Sequence, residues 1–287
     1  MYKTFWKIFT PVALCVFYCT TALTAAPKAL PVTFSTQDGW VLSAIYQPAS
    51  AKENTVILLH DLGKNKEAFS TFEKALTKAG FGYLALDLRG HGQSTNQGEY
   101  KKFAKEGENN PFNQMVQDVS AAVSFLKTKK IPLQNILLLG TGLGANVAAK
   151  AAEKMPELAG IALISPGVNI RDVLPVPSLR TYKGPVLLAA SAGERKGFLE
   201  ASILRNVSFL TTGEGNVTFL TAYELAGHEL LDKYLTSSVI QWLDTPQKPE
   251  VLPDAASGAD LSTQTGNIII IPSSATEQAL VPSVLAE

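Results

Sequence analysis

Ile136-Leu137-Leu138-Leu139-Gly140-Thr141-Gly142-Leu143-Gly144-Ala145 is the stretch whose reading decides the fold. Four apolar residues in succession, ended by glycine, are too short a run for a buried helix and fit a strand covered on both faces. Residues 143–154 are rich in alanine and read as a helix. The glycines at 140, 142 and 144 lie between that strand and that helix, the context of a sharp strand-to-helix turn. The same residues match a G-x-G-x-x-A dinucleotide fingerprint, but that motif needs an acidic residue about twenty positions on, at the end of the next strand. The next strand ends Ile164-Ser165-Pro166-Gly167, with no acid.

Working outward, the pattern of strand followed by helix repeats. Residues 31–48 read as a hairpin turning at Asp38-Gly39. Buried-strand runs follow at 55–59, 82–86, 160–164, 185–190 and 216–222. Helical spacing marks 66–79, closed by Gly80, then 112–126 and a last helix at 228–243. Alternating strands and helices after an antiparallel start predict a mostly parallel, doubly wound sheet covered on both faces.

The chain has 287 residues, 46% of them hydrophobic, enough for one sizeable core. Formal net charge is zero and no basic patch or run appears, which argues against a nucleic-acid partner. Lys3 and Lys7 precede an apolar stretch from Ile8 to Leu23 that ends in small residues, the layout of a signal peptide over residues 1–25. The expected localisation is therefore exported, periplasmic or extracellular. The alternative is a membrane anchor at residues 8–25, uncleaved or lipidated at Cys19. Both cysteines, Cys15 and Cys19, lie inside that run, so the cleaved chain has no disulfide and no thiol nucleophile. The three histidines are far apart in sequence and suggest no metal site, and no cofactor is expected.

A folded domain is expected over 30–243 and a flexible tail over 244–287, which is proline-rich and poor in aromatics. Within the tail, Ile268-Ile269-Ile270-Ile271 stand between Gly266-Asn267 and Pro272, a possible short strand at 267–271. It fits docking on a sheet edge, of this chain or of a protein partner.

Two loops carry the strongest resemblance. Asp87-Leu88-Arg89-Gly90-His91-Gly92-Gln93-Ser94 follows one strand, and His60-Asp61-Leu62-Gly63 follows the strand before it. Together with the strand–turn–helix at 136–154, these resemble the α/β-hydrolase superfamily, in its branch of serine aminopeptidases and monoacylglycerol-lipase-like esterases, over roughly 31–243. The resemblance implies an α/β-hydrolase fold. With only about twenty residues between strands 160–164 and 185–190, it carries no large lid. Residues 95–111 form the other long loop near an open, shallow pocket.

In that superfamily a serine at the tip of G-x-S-x-G attacks an acyl carbon, a histidine takes its proton and an acid orients the histidine. Carried over residue by residue, the nucleophile position is Gly142, which has no hydroxyl. The histidine is His228, in Ala226-Gly227-His228-Glu229, and the acid is Glu194, with Asp172 as the alternative. The backbone N–H groups of Leu62 and Leu143 would form the oxyanion hole. Asp61 stands where related loops have glycine, and a carboxylate beside a developing oxyanion is unfavourable unless it points away. Thr141 is expected to point away from the tip, and Ser94 and Ser191 belong to other loops. Asp87, Arg89 and His91 read as structural.

Two functional readings follow. One is a pseudo-hydrolase that keeps a pocket for a small-molecule or acyl ligand, or a partner, without serine-hydrolase activity. The other is an active exported hydrolase of esters, lipids or peptides, working through His228 with Glu194 and an unrecognised nucleophile or an activated water.

Overall fold

A computed structural model describes residues 28–107, 109–246 and 269–270. One nine-stranded sheet runs β1-β2-β4-β3-β5-β6-β7-β8-β9. The hairpin strands β1 (Leu30–Ser35) and β2 (Val41–Gln47) are antiparallel, with Ser35 opposite Val41 across the Asp38-Gly39 turn. Then β3 (Thr55–Leu59), β4 (Gly82–Leu86), β5 (Ile136–Thr141), β6 (Gly160–Ile164), β7 (Val186–Ser191) and β8 (Val217–Ala222) lie parallel. The parallel sheet places every strand C-terminus, and so every loop of interest, at one edge. The possible strand at 267–271 is shorter: β9 (Ile269–Ile270) pairs antiparallel with β8 of the same sheet. The remainder of that run, Ile268 and Ile271, lies outside the described residues, as do the apolar N-terminal segment and most of the tail.

Helices cover both faces. On one side pack α2 (Val116–Thr128), α3 (Leu143–Ala152), the short α4 (Val176–Leu179) and α5 (Arg195–Thr212). On the other lie α1 (Ser70–Ala79), α6 (Gly227–Leu230) and α7 (Thr236–Asp244). Alternate residues of one strand feed the two cores: Ile57 and Leu59 face the first, Val56 and Leu58 the second. The predicted helix at 66–79 begins as a 3-10 turn, and the predicted final helix is α6 and α7 joined by a π-helical segment, Leu231–Leu235. The eighteen-residue helix α5 has no counterpart among the predicted elements. It buries only Ala201, Leu204 and Ser208 fully and leaves Leu199, Ile203 and Leu210 exposed, so it lacks a clean amphipathic stripe.

The Asp87–Ser94 loop is held by buried charge. Arg89 is 1% exposed and its Nε and backbone N–H both donate to the fully buried Asp118, while Nη1 reaches Asp38 in the hairpin turn at 2.6 Å. Burial pushes the Asp118 carboxyl up to about 6 against the pull of the guanidinium, which leaves it ionised at neutral pH. Asp87 accepts from the backbone and Nζ of Lys66 and from the backbone of Gln93. Ser94 is consumed in the same loop, donating to the Asp87 carbonyl. These groups fix the rim and leave none of their charge for chemistry. Replacing Asp118 by Ala removes the buried carboxylate from Arg89 and leaves only the half-exposed Asp38, and urea denaturation is expected to show a loss of about 3 kcal/mol.

Candidate active site

The turn from β5 into α3 sets the geometry. Gly142 has φ 51 and ψ −117, a conformation closed to most side-chain-bearing residues, and its N–H donates to Ile164 at 2.9 Å. A Cβ at Gly144 would strike the backbone of Leu59, so the start of α3 rests directly against the end of β3. That contact carries the β3 loop to the tip of the turn.

There the two would-be oxyanion-hole donors meet, and they are occupied. The backbone N–H of Leu62 and that of Leu143 both donate to Asp61 Oδ1, at 2.7 and 2.8 Å. The carboxylate does not point away. A Cβ built on Gly142 would coincide with it. Asp61 therefore fills two places at once: the space a side chain at 142 would take and the point where the two N–H donors converge. A carboxylate is well matched to this position, because N–H groups at the first turn of α3 favour negative charge.

His60 fixes the loop from beneath. Its Nε2 accepts from the Leu88 N–H at 3.0 Å, so its Nδ1–H donates to the Asp61 carbonyl at 2.8 Å. Burial, reinforced by neighbouring His91, lowers its pKa to about 4. His91 is buried too, its Nδ1 bonded to the Arg89 carbonyl and its ring stacked on Tyr100 at 4.1 Å.

The other expected site residues are less well assembled. His228 begins α6 and is half-buried, and its loop is tied to β6 by the Gly227 N–H donating to Ser165 Oγ at 2.8 Å. Ser165 has φ 51, another positive-φ position at the strand ends, and nothing in its sequence setting marked it. Glu194 stands exposed just before α5. Among the described residues no hydrogen bond or ion pair joins it to His228. The acid that feels His228 is Asp232, four residues on, raised by burial with the imidazole pulling the other way. Asp172 is spent on the backbone N–H of Gly107. Thr141 is 1% exposed with its hydroxyl buried and unpartnered, and Ser191 donates to the Tyr223 carbonyl. Neither stands in for the nucleophile at the tip.

Beside Leu62 a cavity of about 200 Å³ opens between the 95–111 loop and Arg171.

This sheet order, the glycine turn and the histidine loop after the last parallel strand define an α/β-hydrolase fold. The esterase Pf2001 of Pyrococcus furiosus superposes with a TM-score of 0.63 at 18% identity, covering 76% of this chain and 92% of that one. The esterase domain of a Rhodothermus marinus protein gives 0.56 at 19% identity, covering 75% and 97%. Residues 50–196 match the serine aminopeptidase S33 family, and the chain belongs to that family. Ethanol acetyltransferase 1 of Cyberlindnera fabianii is 29% identical over 133 residues, which are 45% of this chain. The chain spans only 33% of that relative's length.

Two outcomes test the geometry. Ring NMR of the three histidines is expected to keep His60 neutral, with the proton on Nδ1, until pH falls to about 4. Because its folded pKa lies below the ordinary 6.5, its contribution to stability is complete above that pH and is lost as pH falls toward 4. In a thermodynamic cycle, Gly142→Ala alone should cost more than its backbone strain of roughly 1–3 kcal/mol. In an Asp61→Gly background the penalty should fall by about 1 kcal/mol or more, the sign of direct contact.

Proposed function

We propose that this chain is an exported member of its family that no longer performs serine acyl transfer and works by binding a small ligand or a partner. One observation carries the reading: a carboxylate lies in the oxyanion hole, over the glycine that replaces the nucleophile. Acyl transfer needs three things at this point, namely an attacking oxygen, room for the acyl carbon and free N–H donors for the oxyanion. Gly142 supplies no oxygen, and Asp61 takes the room and both donors. Export is supported by the Lys3/Lys7 and apolar pattern of residues 1–25.

The alternative hydrolase, a water activated by His228 with Glu194, lacks the bond that would orient the imidazole. Its oxyanion would also form against the Asp61 charge. If the rest of the machinery is intact, restoring a serine and clearing the donors should bring acyl transfer back in part.

Fluorophosphonate labelling and p-nitrophenyl ester hydrolysis read this directly. The unmodified protein is expected to be silent in both. Gly142→Ser alone is expected to stay silent, because its Cβ meets Asp61 and the hole is still filled. Asp61→Gly combined with Gly142→Ser should gain labelling, and His228→Ala in that background should remove it. Ester turnover by the unmodified protein that disappears with His228→Ala would overturn the proposal.

A further inference from the structure

The cavity beside Leu62 has a distinctive chemistry. Its walls are apolar: Leu62, Tyr100, Phe103 and Phe112. Its charged lining is entirely basic, made of Lys101, Lys105 and Arg171. No acidic side chain lines it, and among the described residues none of these three cations forms an ion pair. The buried cations of the rim are paired, Arg89 with Asp38 and Asp118, and Lys66 with Asp87. Here three basic residues line an aromatic-walled cavity that no acidic residue lines.

The walls are preformed. Tyr100 stacks on His91, and Phe103 packs edge-on against both Trp40 and Phe112, at 5.8 and 5.3 Å between ring centres. The Tyr100 N–H donates to Gly90, where a Cβ would strike Phe103, so the loop cannot shift outward freely. Arg171 is held in turn. Its carbonyl accepts from Asn110, and it and Asp172 adopt successive positive φ values of 57 and 60. Non-glycine residues take that conformation uncommonly, so the backbone at Arg171 is set by its surroundings.

We infer that this cavity binds a small amphipathic carboxylate, its short apolar body between Tyr100, Phe103 and Phe112 and its anionic head on Arg171 with the two lysines. The inference rests on the reading of the site as a binding site. Since the oxyanion hole already holds an internal anion, an external anion has to be recognised elsewhere, and the basic rim supplies that place. Arginine suits the head group because its planar fork meets a carboxylate with two parallel N–H bonds. Volume sets the body. At about 30 Å³ per water in the liquid, the space holds on the order of six to eight non-hydrogen atoms.

The experiment is calorimetric titration of the full chain with hexanoate, 1-hexanol, hexylammonium and inorganic phosphate, at low and high salt. Hexanoate is expected to bind tightest and to weaken with salt. Arg171→Met should weaken it at least tenfold without changing the affinity for hexanol, with circular dichroism confirming the fold. Leu62→Trp, which fills the cavity, should abolish it. Equal binding of hexanol and hexanoate would overturn the role of the cations. Equal binding of phosphate would overturn the role of the aromatic walls. Absence of hexanoate binding would overturn the assignment outright. None of these results depends on fluorophosphonate reactivity, so a failure here and a failure of the non-catalytic reading are told apart.

Discussion

The structure depends on one close approach, that of the first turn of α3 against the end of β3. It exists because Gly140 and Gly144 have no side chains. A Cβ at Gly140 would enter the backbone of Gly144, and one at Gly144 would enter that of Leu59. With the two elements pressed together, the N–H of Leu143 and the N–H of Leu62 point at a common spot. Two converging donors, one of them at a helix N-terminus, form an electropositive well. The well is a property of the backbone and persists whatever the side chains do. Something negative or polar has to occupy it, and in this chain the occupant is built in.

Much of this was legible in the sequence for a physical reason. Buried parallel strands are continuous apolar runs, and the residues at 55–59, 82–86, 136–139 and 160–164 announce themselves. The glycine turn was legible because close backbone contact has few solutions. The assignment of Gly142 and His228 to a catalytic site is what the resemblance to the superfamily implies. What stayed hidden was what depends on direction or on weak patterning. Helix α5 was missed because its apolar residues are spread around its surface, several of them exposed. The π-helical segment at Leu231–Leu235 has no periodicity of its own to read. The direction of the Asp61 side chain was the decisive unknown. A carboxylate at that position can cap a turn and face solvent or turn inward, and only three-dimensional packing decides. Glu194 fell on the expected loop, yet a loop position fixes no side-chain contact, and the residue stands exposed.

Gly142 and Asp61 are best understood as one exchange. Consider either residue changed alone in a relative with serine at the tip and glycine in the β3 loop. Aspartate arriving first would drive its carboxylate into the serine side chain, in a turn already strained. Glycine arriving first relieves that strain, since it has no Cβ to clash, but it leaves two N–H donors converging on an empty space. Unmet donors that are partly buried cost on the order of 1–3 kcal/mol each. Aspartate then satisfies both with a single oxygen, and with a charge-assisted bond in each case. Glycine first trades relief of strain against two donors without a protein partner, and aspartate then satisfies both, whereas aspartate first meets a side chain already at the tip. With the carboxylate seated, a serine side chain at 142 meets both a steric and an electrostatic barrier.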